Sequence, residues 1–228
     1  MVATPLGILA AMPVEGQAIE HAMTDARTKQ ILGRPVVSGL LDAHPVLLAY
    51  SGVGKVNAAL SAAALADAGA AAVVLVGVAG GVGPGVHVGD AVVATELIQH
   101  DVDITAFGRP AGYIDGAIAG GASDIDLGDR LAAAAHAIGA TVHRGCIASG
   151  DQFIASPIKS QEIAEQFGAI AVEMEGAAAA QACEQLGLPL AVLRWISDAA
   201  DDHATIDFSE FVQQAAQLDL AVVRALLH

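Results

Sequence analysis

Short, mostly apolar runs that alternate with alanine-rich helical patterns set the tightest limit on what this chain can fold into. Gly7–Ala11, Ala72–Val76, Ala91–Glu96, Thr141–Ala148 and Leu190–Ile196 are five to eight residues long. That is strand length rather than helix length. The runs lack the in-out alternation of a half-wet sheet, so both of their faces must be covered. Helices have to supply that cover. An α/β fold with a mostly parallel or mixed sheet follows.

The helical segments have their own punctuation. Pro13 suits a first helical turn, where its missing N–H costs nothing. Helices are predicted over about 56–68, 127–138 and 175–186, the last closed by Gly187 and Pro189. Pro35–Leu41 and Val46–Tyr50 read as a hairpin joined through Asp42–Pro45. Asp207 and Glu210 have the spacing of a capping box for a final helix ending near Leu227. From His100 to Asp126 no period is evident, which predicts a long ordered loop. Composition does not shift along the chain, so one domain over residues 1–228 is expected.

The chain carries 25 Asp and Glu against 10 Lys and Arg, a formal charge of -15. Such a surface repels phosphate backbones and anionic lipid, which argues against nucleic-acid and membrane-surface roles. Two cysteines, Cys146 and Cys183, stand alone in apolar settings, so free buried thiols in a reducing compartment are expected. The first residues lack a basic stretch before their apolar run and meet Glu15 early, which speaks against a signal peptide. The expected location is the cytoplasm. A 54% hydrophobic composition over 228 residues is accommodated by a doubly covered sheet plus surface hidden in an oligomer.

Two glycine loops follow predicted strands, where α/β sheets place ligands. Gly52-Val-Gly54-Lys55 lacks the spacing and the Ser or Thr of a phosphate loop. Gly81-Val-Gly83-Pro-Gly85 misplaces the third glycine of a dinucleotide fingerprint. Neither is a cofactor signature, and no cofactor or metal is expected. The acids are more informative. Glu15, Glu173, Glu175 and Asp198 fall at element ends inside apolar surroundings, where unpaired charge is rare. Glu173 and Glu175 share one face if their segment is extended and diverge if it bends into a helix.

These acids sit within a series of motifs: Glu15 after Ala11-Met-Pro-Val, Ser51-Gly-Val-Gly-Lys-Val-Asn-Ala58, Gly77-Val-Ala-Gly-Gly81, His100-Asp-Val-Asp-Ile-Thr-Ala-Phe107, Ser149-Gly-Asp-Gln-Phe153, Ala171-Val-Glu-Met-Glu-Gly176 and Arg194-Trp-Ile-Ser-Asp198. The ordered set resembles the 5′-methylthioadenosine/S-adenosylhomocysteine nucleosidases, over nearly the whole chain. The resemblance implies the purine nucleoside phosphorylase superfamily fold, an α/β architecture with a central mixed β-sheet surrounded by α-helices in three layers. It implies that Asp198, with Ser197 beside it, is the general acid that protonates adenine N7. Glu15, aided by Arg194, would activate water. Glu175 would grip the ribose hydroxyls, with Glu173 beside it and Met174 beneath the sugar. Phe153 and Ile154 would form the adenine platform and Phe208 a second aromatic wall, with Val78, Ala79 and Gly80 also at the substrate. It further implies a homodimer in which Ile104 and Phe107 of one subunit cover the substrate tail in the other. Three positions depart from the family pattern. Val78 stands where some members have Ser, Trp195 where a small residue is usual, and Asp115 where some have Pro. They bear on tail selectivity.

Cleaving a ribosyl–adenine bond requires a proton for the leaving base and an activated water on the opposite side, as in glycoside hydrolysis. A free Asp, at a pKa of about 3.9, is a poor donor at neutrality, and raising it to ~7 requires about 4 kcal/mol from its surroundings. Asp201 and Asp202 are expected to add like-charge pressure on Asp198. Glu15, in a first helical turn, is expected to be favoured as the anion. Rival readings are a nucleoside phosphorylase, an aminofutalosine nucleosidase and a non-catalytic nucleotide-binding module. Against the first, Glu15 and Leu75 stand where phosphorylases of the superfamily carry arginines.

Overall fold

The computed structural model describes residues 4–114 and 116–228, so Asp115 lies outside the described residues. The chain opens with β1 (Leu6–Ala10) and α1 (Pro13–Ala22), then the antiparallel run β2 (Thr24–Ile31), β3 (Arg34–Leu41) and β4 (His44–Tyr50). After α2 (Lys55–Asp67) come β5 (Ala72–Leu75), β6 (Val78–Gly81) and β7 (Ala91–Gln99). The stretch expected as loop carries a short 3-10 turn (Thr105–Phe107), the ribbon β8 (Tyr113–Ile114) and β9 (Ala117–Ile118), and β10 (Gly120–Ala122). Then follow α3 (Ile125–Ala137), β11 (Val142–Ser149), α4 (Pro157–Phe167), β12 (Ala169–Glu173), α5 (Gly176–Leu186), β13 (Leu190–Asp198) and α6 (Ala204–Leu227).

Eleven strands form one mixed sheet in the order β10-β7-β11-β12-β6-β13-β5-β1-β4-β3-β2. β13 is its hinge. Its first residues run parallel to β5, Leu193–Trp195 pair antiparallel with β7, and Trp195–Asp198 run parallel to β6. Because β7 and β13 also pair, β7, β11, β12, β6 and β13 close into a ring. Alternate side chains feed two cores. On β1, Ile8 joins a cluster with Ile19, Leu131 and Val222 from α1, α3 and α6. Its neighbour Leu9 joins Ala58, Leu65, Ala177 and Cys183 from α2 and α5. This two-sided burial is the physical content of the uninterrupted apolar runs. Both cysteines are free and buried. Among the described residues, no helix is long and apolar enough to cross a membrane.

Two sequence expectations need correction. The last helix begins at Ala204, with His203 at its N-cap making no side-chain cap, so Asp207 lies inside the helix and forms no capping box. An acid three residues before a Glu is equally natural on a helix face. β2, α4 and β12 were not foreseen. β2 is almost wholly exposed and polar, so it carries no apolar signature.

Candidate active site

The carboxyl ends of β12 and β13, the start of α1 and the glycine turns after β4 and β5 meet around one cleft. It holds about 690 Å³ of empty space, its open mouth included. Ala11, Met12 and Glu15 line it from the α1 side. Val78, Ala79 and Gly80 come from β6, Val172 to Glu175 from the end of β12, and Ser197 and Asp198 from β13. Val53, Gln152, Phe153, Ile154 and Phe208 complete it.

Glu15 occupies the third position of α1, so its side chain folds back over the helix start. Oε2 accepts the Met12 N–H at 2.7 Å and Oε1 accepts the Val78 N–H at 3.2 Å. It is 1% exposed. Burial raises its pKa, although the Arg194 charge and these backbone donors pull the other way. The anion was expected to be favoured by the helix terminus. That pull is present, but desolvation outweighs it.

Asp198 ends β13. Its Oδ2 accepts from Ser197 Oγ at 2.7 Å and its Oδ1 from the Ala200 N–H at 2.9 Å. Burial raises its pKa, and Asp207 and Asp201 add like charge. The expected pressure from Asp201 is present; Asp207, one helical turn into α6, takes the part assigned to Asp202. Gly80 allows the close approach of β6, because a Cβ there would stand 2.9 Å from Asp198 Oδ1.

Glu173 and Glu175 neither share a strand face nor diverge. β12 ends at Glu173 and Glu175 caps α5, and the bend turns both onto Arg194. Arg194 Nη2 bonds Glu173 Oε2 and lies 3.2 Å from Glu175 Oε2. Glu173 also accepts from Ser149 Oγ and from the N–H groups of Glu175 and Gly176 at the start of α5. Its oxygens are fully engaged by the protein. Glu175 Oε1 accepts the Gly54 N–H at 2.8 Å, tying the first glycine turn to the site. Burial raises the Glu175 pKa, and the Glu173 charge adds to it. Arg194 is 0% exposed and sits one layer behind the cleft wall. Burial alone would lower its pKa, but the surrounding Glu173, Glu175 and Glu15 raise it and keep it charged. Gly77 carries positive φ (141°), and a Cβ there would collide with Glu15 Oε1 and Arg194 Nη1. Only glycine fits between the two side chains.

Phe153 and Phe208 meet edge to face, with ring centroids 5.9 Å apart, and form two adjacent walls. The cleft therefore offers a flat apolar corner beside a cluster of acids, suited to a planar base carrying a sugar.

The profile of the Phosphorylase superfamily matches residues 5–228. A 5′-methylthioadenosine/S-adenosylhomocysteine nucleosidase of Anoxybacillus flavithermus is 37% identical over 226 residues, 98% of this chain and 97% of the relative. The chain belongs to that nucleosidase family. An aminodeoxyfutalosine nucleosidase of Campylobacter jejuni is 42% identical over 176 residues, 77% of each chain. The crystal structure of the Neisseria meningitidis 5′-methylthioadenosine/S-adenosylhomocysteine nucleosidase in complex with methylthio-immucillin-A has a TM-score of 0.92 at 38% identity, and 99% of both chains is covered.

In this nucleosidase the cleft gathers Glu15, Asp198, Ser197, Val78, Ala79, Gly80, Phe153, Ile154, Glu173, Met174, Glu175 and Phe208 from six separate stretches of sequence. Ile104 and Phe107 do not line it; Phe107 is 83% exposed and Ile104 half-buried. Ala11, Met12, Val53, Gln152 and Val172 line it without having been singled out. All of them fall within motifs quoted above, and that membership was the available signal. Trp195 packs behind the floor, where its Nε1 donates to Asp219 Oδ1 at 3.0 Å. Nothing in the sequence marked Asp219.

Proposed function

We propose that the chain hydrolyses the N-glycosidic bond of 5′-methylthioadenosine and S-adenosylhomocysteine, releasing adenine and the corresponding 5-thioribose. The observation that carries the choice of hydrolysis is the charge of the cleft wall. Among the described residues, four carboxylates and no Lys or Arg line it, whereas a phosphate co-substrate needs cationic donors. Arg194, the nearest guanidinium, is already committed to Glu173 and Glu175.

In this reading Asp198 is the general acid. Burial and the neighbouring acids raise its pKa and so make it a better proton donor than a free aspartate, and it passes that proton to adenine N7 as the C1′–N9 bond breaks. Glu15 takes a proton from water as the water oxygen bonds C1′; solvent later returns the balance between the two acids. Glu175 holds the ribose hydroxyls, over Met174. Glu173, saturated by protein donors, orients Arg194 and Glu175 rather than the sugar. Phe153, Ile154 and Phe208 hold the base, and Val78, Ala79 and Gly80 close the floor.

The reading extends to a cytoplasmic homodimer that feeds methionine salvage. Two free buried thiols support the compartment. A large apolar side chain as exposed as Phe107 supports an interface, one in which Phe107 and Ile104 cover the substrate tail of the neighbouring subunit. The test is incubation with 5′-methylthioadenosine, S-adenosylhomocysteine and aminodeoxyfutalosine, with and without phosphate. The third is included because of the Campylobacter jejuni relative. Free sugar and adenine at rates indifferent to phosphate are expected. A ribose 1-phosphate product would replace hydrolysis by phosphorolysis, and turnover of aminodeoxyfutalosine alone would replace the substrates.

A further inference from the structure

Beneath the cleft floor lies a buried polar triangle of Gly77, Trp195 and Asp219. Asp219, on α6, is fully buried, and its Oδ1 accepts from Trp195 Nε1 at 3.0 Å. The main-chain N–H of Trp195 donates to the Gly77 carbonyl at 2.9 Å, and the Gly77 amide lies near the Asp219 carboxyl, within its electrostatic reach. The Gly77 carbonyl is therefore held by a residue whose ring Asp219 anchors in turn. The residues flanking it carry the wiring of the site: the Val78 N–H donates to Glu15 Oε1 at 3.2 Å, and Arg194 Nη1 donates to the Val76 carbonyl at 3.3 Å.

Glycine is required at position 77 by the crowding of Glu15 and Arg194, yet glycine is the residue least able to hold its own conformation. The segment that aims Glu15 needs an external restraint. A buried carboxyl with one oxygen, Oδ2, lacking any hydrogen-bond partner costs stability that an apolar pair of similar volume would not. We propose that Trp195 and Asp219 are positioning residues that clamp the Gly77 peptide and thereby hold Glu15 in its water-activating pose. The proposal rests on Glu15 having that role. Burial pushes the Asp219 carboxyl well above its usual range, with Glu15 adding like charge. Asparagine matches that carboxyl in shape and keeps an acceptor oxygen for the Trp195 ring N–H.

That equivalence supplies the test. Trp195→Phe keeps the ring and removes the donor; Asp219→Ala removes the acceptor; Asp219→Asn keeps an acceptor oxygen in place. The first two are expected to lower kcat roughly tenfold, as small misplacements of a reacting group do, with KM changed less than about twofold. Asp219→Asn is expected to restore kcat to within about twofold of the parent. Lowered melting temperatures with unaltered kcat per folded molecule would overturn the proposal and leave the pair purely structural. In a Glu15→Gln background, Trp195→Phe should reduce the residual turnover no further, whereas the same tenfold loss there would show that the clamp does not act through Glu15. Full turnover by Glu15→Gln alone would overturn the assignment of Glu15, and with it this role for the pair.

Discussion

Arg194→Met isolates the electrostatic keystone of the site. The guanidinium has no solvent contact and faces Glu173 and Glu175, 8% and 4% exposed, with Nη1 on the Val76 carbonyl. Methionine retains most of the apolar stem and removes the charge, leaving two carboxylates facing each other without a cation. Removing one partner of a buried ion pair costs about 3–5 kcal/mol, which for a chain of this length lowers Tm by roughly 6–20 °C. The cost should depend on pH. Without Arg194, which holds it down, the Glu175 carboxyl titrates in the folded state still further above its unfolded value of about 4.3. A carboxyl raised in this way leaves stability intact below its unfolded pKa and removes it as pH rises through its folded pKa. The Tm deficit relative to the parent should therefore be largest at pH 8 and shrink on acidification to pH 5, as followed by circular dichroism melts. A deficit below about 1 kcal/mol at pH 8, or one independent of pH, would refute the reasoning.

Asp198→Asn should lose at least ~10²-fold in turnover; because burial raises the Asp198 pKa, parent turnover should fall as pH rises through it, and the variant should lack that alkaline limb. Stopped adenine-release assays across pH would decide, and near-normal turnover would remove Asp198 from the chemistry. Phe107→Ala should raise KM roughly tenfold, about the worth of partly burying one aromatic ring, while kcat stays within about twofold, since a tail contact serves ground and transition states alike. Sedimentation of the parent should show a dimer, and a fully active monomer would sink the shared site. Asp219→Asn should gain in Tm over the parent as pH rises from 4 to 8. A raised carboxyl pKa withdraws stability as pH climbs and the amide does not titrate; a difference flat with pH would contradict a raised Asp219 pKa.

The doubly buried strands were legible because an uninterrupted apolar run has one economical environment, and β1, β5 and β13 lie within a residue or two of where the runs put them. β2 was invisible for the converse reason: Thr24–Ile31 is an exposed edge strand held by β3, and its polar sequence records no burial. The site acids were legible as charges in apolar segments. Their electrostatics were not. A position in a first helical turn announces the helix terminus acting on Glu15, but the burial that outweighs it depends on packing against distant segments such as Gly77–Val78, more than sixty residues away in the chain. The convergence of Glu173 and Glu175 on Arg194 likewise depends on a bend at Met174 that spacing alone leaves open.

β13 has a consequence for how an inhibitor of this enzyme would fail. Every residue from Leu190 to Asp198 is buried, the strand is paired on both sides, and it carries Arg194, Ser197 and Asp198. A substitution that weakens drug contact there damages folding in the same stroke, so the cell cannot keep it. Val53, Phe153 and Phe208 reach the cleft from loops and the first turns of α6 and are partly exposed. Escape from a tight-binding nucleoside mimic should therefore collect at this rim. Compounds whose affinity comes mainly from the β13 floor should leave the fewest viable routes to resistance.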